Sequence, residues 1–97
     1  MNSRTGVERF ENVWTALEPT AGAAANMTMR SDLLIALQER VGSWKVTQAE
    51  AARRLETSQP RLNDLLRGRI NKFSLDMLVE LADRAGLEVS LRIKKAA

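Results

Sequence analysis

The polar side chains with the most specific chemistry in this sequence lie between residues 61 and 67. Arg61, Asn63, Asp64 and Arg67 share the side of a predicted helix that faces away from its leucines. An arginine can bond guanine O6 and N7, an asparagine can bond adenine N6 and N7, and a carboxylate can accept from cytosine N4. A short, polar and basic helix face with these groups is suited to the major groove of DNA.

A helix, a tight turn and a second helix are predicted over residues 46–68 to carry that face. Thr47 is a preferred N-cap for the first helix, and Glu50 stands three residues later, as in a capping box. Ser58 is a preferred N-cap for the second helix, whose first turn tolerates Pro60 because no intrahelical bond is lost there. The pattern is that of a helix-turn-helix.

The apolar residues of the two helices predict that they pack against a common core. The first helix should end near Leu55, and the second should run to about Arg67, where Gly68 can adopt a positive φ. Small alanines in the first helix allow the second to approach closely. The core-facing residues expected from helical spacing are Ala51, Ala52, Leu55, Leu62, Leu65, Leu66 and Ile70.

Positive charge is concentrated in the same stretch. Residues 53–72 contain six cations and two anions, a net charge of +4, whereas the whole chain carries +3. The other 77 residues therefore carry a net charge of −1. A basic patch confined to a helix-turn-helix is the electrostatic footprint of phosphate binding. The alternative is a solvated helix face, which is the usual interpretation of an isolated charge run.

The composition argues against an enzyme and against a membrane protein. The 97 residues suffice for one helical core. They include no Cys and no His, so a disulfide, a zinc site and the commonest general base are not expected. No cofactor is expected. No apolar run approaches the ~20 residues that span a bilayer, and no apolar signal core follows the N-terminus, which predicts a soluble, cytoplasmic protein.

A narrow apolar stripe is predicted near the N-terminus, on a short helix that Pro19 ends. It consists of Phe10, Val13, Trp14 and Leu17, spaced over two helical turns. The simplest interpretation is that the stripe closes the core of its own domain. The alternative is that it binds a partner protein, because aromatic residues are favoured anchors of interfaces.

Between this stripe and the basic stretch, two further helical segments are predicted. Thr20 could cap a weak helix that Gly22 would loosen. A stronger helix should begin at Met27 or Met29, run to Val41 and close at the Gly-Ser pair that follows. Trp44 should then lie in the connection and pack beneath the helix-turn-helix.

The C-terminal part is predicted to be a helix followed by a strand. Ser74 should cap the helix and Gly86 should end it, and Leu75, Leu78, Val79 and Ala82 should form its buried face. Residues 87–93 alternate strictly between apolar and polar, which is typical of a β-strand. A lone strand leaves its backbone groups unpaired, and the same strand of a second copy could satisfy them about a two-fold axis. This predicts a homodimer formed through Leu87, Val89, Leu91 and Ile93.

The central stretch resembles the XRE (Cro/cI repressor-like) family of helix-turn-helix DNA-binding domains. The resemblance rests on Thr47-Gln48-Ala49-Glu50, Ala52, Leu55, Ser58-Gln59, Leu62, Leu65 and Arg67-Gly68. It implies an all-α, five-helix, lambda-repressor-like domain, here with a short C-terminal β-strand that pairs across a dimer. The family usually has glycine at the interhelical turn, where this chain has Glu56. A non-glycine residue at positive φ costs about 1 kcal/mol, which the fold can absorb.

Further segments resemble HigA-type antitoxins, which accompany HigB/RelE-like ribonuclease toxins. These are residues 10–14, 29–33 and 67–74 and the alternating C-terminal segment, whereas residues 18–26 are less acidic than in similar sequences. The resemblance implies that the chain binds a toxin and represses its own operon. It also divides the chain into an N-terminal arm with short helices for a partner (1–28), an XRE helix-turn-helix domain (29–86) and a dimerisation strand and tail (87–97).

The chemistry and the resemblance together give the candidate site. Base readout is expected from Gln59, Arg61, Asn63 and Asp64. Contacts with the DNA backbone are expected from Gln48, Ser58, Arg53, Arg67, Arg69 and Lys72. Toxin contact is assigned to Phe10, Val13, Trp14 and Leu17, and dimerisation to Leu87, Val89, Leu91 and Ile93.

Three functions follow from these observations. The first is an antitoxin that autorepresses its operon, with a palindromic operator, a second copy of itself and a RelE/HigB-like toxin as partners. The second is a stand-alone or phage-type XRE repressor without a toxin. The third is a protein-interaction module with weak DNA binding.

Overall fold

The computed structural model describes residues 20–96, and over this range the fold is all-α. The helices are α1 (Ala21–Trp44), α2 (Gln48–Arg54), α3 (Gln59–Leu66) and α4 (Leu75–Arg84), with a short 3-10 helix at Ile70–Lys72. The prediction of an all-α helix-turn-helix domain is confirmed, with four α-helices rather than five in the described range. The helix predicted over residues 10–17 lies outside that range.

Each of the four α-helices begins at a Ser or Thr side chain, as predicted. The hydroxyl oxygen of each cap accepts a hydrogen bond from the backbone N–H three residues later, at 3.0–3.1 Å. The capping residues are Thr20, Thr47, Ser58 and Ser74. Because the first N–H groups of a helix have no intrahelical acceptor, each cap satisfies one of them and fixes where its helix starts.

Helix α1 is longer than the sequence predicts. Two helical segments were expected between residues 20 and 43, whereas the structure has one continuous helix of 24 residues. Residues 21–25 contain four alanines, the best helix formers, so Gly22 among them does not break the helix. The helix ends where Lys45 adopts a φ of 54°. Trp44 is therefore its last residue, and its side chain packs against the core.

The core lies where α1 crosses α3 and α4, with α2 packed on α3. The buried apolar residues are Leu34, Leu37, Val41, Ala51, Ala52, Leu55, Leu62, Leu65, Phe73, Leu78, Leu81, Ala82 and Ala85. Leu66 and Ile70 lie partly buried at its edge rather than inside it. Val79, expected on the buried face of α4, is 39% exposed, whereas Leu81 is buried. The helix-turn-helix core is thus as predicted except at Leu66 and Ile70, and the buried face of α4 is rotated from the predicted one.

The C-terminal segment contains no β-strand within its described residues. Residues 87–96 continue from α4 without regular secondary structure. Leu87 packs against the core, and its backbone N–H donates to the Ala82 carbonyl oxygen at 2.9 Å. A strand is defined by hydrogen bonds to a neighbouring strand, and the described part of this single chain supplies none. The alternating pattern therefore does not produce a strand on its own.

No described helix is both long enough and apolar enough to cross a membrane.

Candidate nucleic-acid interface

The turn between α2 and α3 sets the direction of α3. Glu56 adopts a φ of 53°, the left-handed conformation in which glycine is usual. The N–H of Thr57 donates to the Ala52 carbonyl oxygen at 2.9 Å, and that of Glu56 donates to the Arg53 carbonyl oxygen at 3.1 Å. These two bonds form a Schellman motif. The turn therefore keeps the geometry of a helix C-terminus although glycine is absent.

The outward side of α3 carries the four residues expected to contact bases. Gln59 is exposed, and Arg61, Asn63 and Asp64 are half-buried, whereas Leu62 is fully buried. Among the described residues, the side chains of Gln59 and Asn63 have no hydrogen-bond partner, so both amides can turn toward a ligand. All four residues lie on the side of α3 that faces away from Leu62. Arg61 and Asp64 each bond another residue, whereas the Gln59 and Asn63 side chains do not bond any within the described range.

The guanidinium of Arg61 is turned toward the loop that follows α3. Its Nη1 donates to the Lys72 carbonyl oxygen at 2.8 Å. Its Cζ lies 5.5 Å from the centroid of the Phe73 ring, which is within the range of a cation–π contact. Arg61 therefore holds the 3-10 helix and Phe73 against α3, a role that its sequence position does not indicate.

Asp64 is paired with a cation that follows α3. Arg69 Nη1 lies 3.3 Å from Asp64 Oδ1, and the Asp64 side chain is 21% exposed. To accept from a cytosine, the carboxylate must share or leave this ion pair. The pair also keeps Arg69 beside the end of α3, where a phosphate could be contacted.

The six residues expected to contact the DNA backbone are exposed around the two helices. Gln48, Ser58, Arg53, Arg67, Arg69 and Lys72 all lie at the surface. Gln48 and Ser58 are close to the N-termini of α2 and α3, where backbone N–H groups also point outward. Their exposure leaves all six free to contact a DNA backbone, and that role stays a prediction.

Glu50 does not complete the predicted capping box. Its carboxylate accepts from the Arg53 Nε at 2.9 Å and from the Arg54 Nε at 3.1 Å. The hydrogen bonds from Arg53, and then those from Arg54, lower the pKa of Glu50 to about 2. The Arg54 guanidinium also lies 5.2 Å from the centroid of the Trp44 ring. At neutral pH, Glu50 therefore partly offsets the positive charge of α2.

Comparison with known protein families identifies the family of this chain. Residues 17–94 match the helix-turn-helix domain family. The chain belongs to that family. The match covers more than half of the sequence and includes every described helix.

The fold of this helix-turn-helix protein is also similar to that of a solved structure. It belongs to a protein whose name places it among XRE family transcriptional regulators, and the two chains are 27% identical with a TM-score of 0.69. The similarity covers 75% of this chain and 82% of the other. No curated protein matches the sequence. The resemblance to XRE-type helix-turn-helix domains is therefore confirmed, while neither comparison addresses the antitoxin sub-group.

Four long polar side chains that support the helix-turn-helix have no signal in the sequence. Arg30 Nη1 donates to the Phe73 carbonyl oxygen at 3.3 Å, on the loop that Arg61 also holds. At the C-terminal ends of three helices, a side chain from another helix donates to a backbone carbonyl. These bonds join Gln38 to Leu65 at 2.9 Å, Arg40 to Ala85 at 2.8 Å and Arg84 to Leu55 at 3.4 Å.

The three bonds at helix ends reach carbonyl groups that lack the usual amide donor four residues later, and the Leu65 carbonyl also accepts from the Gly68 N–H at 3.0 Å. The bonded residues are 27–45 positions apart in the chain, so no local pattern could reveal them.

Proposed function

We propose that this protein is a sequence-specific DNA-binding transcriptional regulator that inserts α3 into the major groove. The observation that carries the proposal is the outward face of α3, where the Gln59 and Asn63 amides have no hydrogen-bond partner among the described residues. Both amides can bond the adenine edge in the major groove. Membership of the helix-turn-helix family and the flanking cations support the same use of α3.

The test is a DNA-binding titration with one double variant and one control variant. Selection from random duplexes first supplies a binding sequence, and Gln59→Ala with Asn63→Ala is then measured on it. Each good bidentate contact contributes about 1–3 kcal/mol of discrimination, so we expect affinity for the selected duplex to fall at least tenfold and affinity for unrelated DNA to change little. The control is Glu39→Gln on the exposed side of α1, which should leave both affinities unchanged. Equal loss on both duplexes would reject base readout by α3.

Phosphate contacts by the cations around α3 can be tested separately. Arg67→Ala should reduce affinity on all sequences and lower the slope of log affinity against log salt by about one. Arg53 is a weaker candidate, because part of its charge is already neutralised by Glu50.

We further propose that the protein acts as a homodimer, with residues 87–93 of two copies paired as strands. Val89, Leu91 and Ile93 are exposed apolar side chains, which a second copy would cover. Two recognition helices would then contact half-sites about 34 Å apart on a palindromic operator. Protection of a single asymmetric half-site in a footprint would contradict the dimer.

The finer function that we propose is autorepression by an antitoxin of a HigB/RelE-like pair. The support is the sequence resemblance over residues 10–93, with Phe10, Val13, Trp14 and Leu17 as the toxin-contacting stripe. Co-expression with a small, basic, ribonuclease-like protein encoded beside this chain should relieve growth arrest, and Trp14→Ala should abolish that relief without affecting DNA binding. A genomic neighbourhood of lysogeny genes, with no such protein, would favour a phage-type repressor instead.

A further inference from the structure

An apolar groove of about 560 Å³ runs between α1, α4 and the C-terminal segment. Its walls include Met29 and Leu33 of α1, Val79 of α4, and Val89 and Leu91 of the segment. Met29 and Val79 are 40% and 39% exposed. Continuous apolar surface of this kind is typical of an interaction site, because leaving it in water is unfavourable.

Exposure rises steadily along the C-terminal segment as it leaves its own core. Leu87 packs against the core, whereas Val89 is 45%, Leu91 is 77% and Ile93 is 82% exposed. All four side chains share one face when the segment is extended, since side chains alternate along a strand. The described part of the chain therefore leaves Leu91 and Ile93 largely exposed to solvent.

We propose that a second copy of this chain covers the groove, with residues 87–93 of the two copies paired as antiparallel strands centred on Ser90. This deepens the homodimer proposed above and rests on it. Directly opposite residues in an antiparallel pair point to the same face. The register must therefore match odd positions with odd positions, because otherwise apolar and polar side chains would share a face.

Centring the pair on Ser90 matches every apolar side chain with another. Leu87 then faces Ile93 of the partner subunit, and Val89 faces Leu91 of the partner subunit. The partner's Ile93 is brought beside Leu87, which lines the groove and already packs against the core. In this register the more exposed side chains, Leu91 and Ile93, contact the less exposed Val89 and Leu87 of the partner subunit.

Charge on the opposite face agrees with the same register. Glu88 and Arg92 are both exposed. With Ser90 at the centre, Glu88 faces Arg92 of the partner subunit, and the symmetric pair forms on the other side. Moving the centre to Val89 sets Glu88 against Ser90 of the partner subunit and Arg92 against Gly86 of the partner subunit. Moving it to Leu91 sets Leu87 against Lys95 of the partner subunit, so Ser90 is the centre that satisfies both faces.

Cysteine cross-linking of the full chain tests this register. The sequence contains no cysteine, so a single introduced thiol can pair only with its symmetric copy. At the centre, the two Cα atoms should lie about 4.5–5.5 Å apart, within the range of a disulfide. Two Arg92 positions should be about 14 Å apart, which is too far. We expect Ser90→Cys to form a covalent dimer under mild oxidation at least ten times faster than Arg92→Cys.

Ser90 and Arg92 are both exposed, so neither substitution should disturb folding, and circular dichroism checks this. Equal rates for Ser90→Cys and Arg92→Cys would overturn the register. A faster rate for Val89→Cys or Leu91→Cys would overturn it too, and would identify the centre instead.

A charge exchange tests the cross-strand pairs independently. Glu88→Arg alone, or Arg92→Glu alone, places like charges opposite each other twice per dimer, and should raise the dimer dissociation constant about two- to tenfold. The double variant Glu88→Arg with Arg92→Glu has the net charge of the wild type and should restore its dissociation constant. Additive weakening in the double variant would show that these residues do not face each other.

Sedimentation of the wild type separates this inference from the function on which it rests. A wild type that dimerises and binds palindromic DNA, while Ser90→Cys fails to cross-link, would overturn the register alone. A wild type that stays monomeric at all concentrations, yet binds DNA, would overturn the dimer and the register but not α3 as the recognition helix.

Discussion

At the scale of single residues, the outward face of α3 separates into two groups. Arg61 is bonded to the Lys72 carbonyl oxygen and Asp64 to Arg69, whereas Gln59 and Asn63 have no partner among the described residues. A side chain that must break an intramolecular hydrogen bond to contact a base contributes less net binding free energy than one that has no such bond to break. Gln59 and Asn63 are thus the better candidates for base contact, and Arg61 is a candidate for positioning the loop.

Replacing Arg61 should separate positioning from base contact. Arg61→Ala should lower the free energy of unfolding by about 1 kcal/mol, because it removes a bond to the Lys72 carbonyl and the contact with the Phe73 ring. Urea unfolding measures this, with Gln59→Ala as a control expected to change it by less than ~0.5 kcal/mol. Unchanged stability of Arg61→Ala, with affinity lost at a single base position, would assign Arg61 to base readout instead.

Ionisation of Glu50 should make the free energy of unfolding depend on pH at acidic pH. Its pKa is lowered in the folded protein from the ordinary 4.5 to about 2 by hydrogen bonds from Arg53 and Arg54. A lowered folded-state pKa contributes stability above the unfolded-state pKa, and that contribution is lost as pH falls toward 2. We expect the stability difference between wild type and Glu50→Gln to be constant above about pH 5 and to shrink toward pH 2. A carboxyl titration by NMR with a midpoint near 4.5 would contradict the pairing.

At the scale of elements, three helices end in the same Schellman turn, and two of them have glycine at the left-handed position. α3 and α4 have Gly68 and Gly86 there, at φ 72° and 79°, and α2 has Glu56 at φ 53°. Glycine adopts this region without the clash that a Cβ atom causes. The turn of the helix-turn-helix is therefore the one C-terminus among these three that carries backbone strain.

Exchanging side chains at these turns should change stability in opposite directions. Glu56→Gly should raise the free energy of unfolding by about 1 kcal/mol, because it removes the strain of a Cβ atom at positive φ. Gly68→Ala should lower it by about 1 kcal/mol, since an added Cβ would lie 3.6 Å from the Gln38 Nε2, an ordinary contact, and only the backbone cost remains. Thermal or urea unfolding measures both. Destabilisation by Glu56→Gly would show that the 4.0 Å pair of Glu56 with Arg84 outweighs the strain.

At the scale of the whole molecule, α1 connects the helices that we assign to DNA binding with the surface that we assign to dimerisation. Its Arg30 and Gln38 bond the loop and the end of α3, and its Met29 and Leu33 line the groove. Dimerisation along the groove would therefore fix the two recognition helices relative to each other through α1. Operator affinity should depend on the dimer, since one half-site alone offers half of the contacts.

A charged residue in the dimer surface should uncouple folding from operator binding. Leu91→Glu should leave the thermal stability of the monomer nearly unchanged, because Leu91 is 77% exposed, yet it should lower affinity for a palindromic operator by at least tenfold. Sedimentation should then show a monomer. The control is Ile35→Glu on α1, another exposed apolar side chain at 52% and not part of the groove, which should remain dimeric. Dissociation of the control instead would place the interface elsewhere.

The sequence by itself determined the features that depend on near neighbours. The caps at Thr20, Thr47, Ser58 and Ser74 and the leucine face of α3 involve residues no more than four positions apart. Local hydrogen bonds and helical spacing are sufficient to specify these features.

Only the tertiary structure decided where the long polar side chains point. The bonds from Arg30, Gln38, Arg40 and Arg84 to distant carbonyl oxygens, and the turn of Arg61 toward Phe73, exist because packing brings separate helices together. A strand at residues 87–93 depends on a partner strand for the same reason, since its backbone bonds cannot be made within the segment itself.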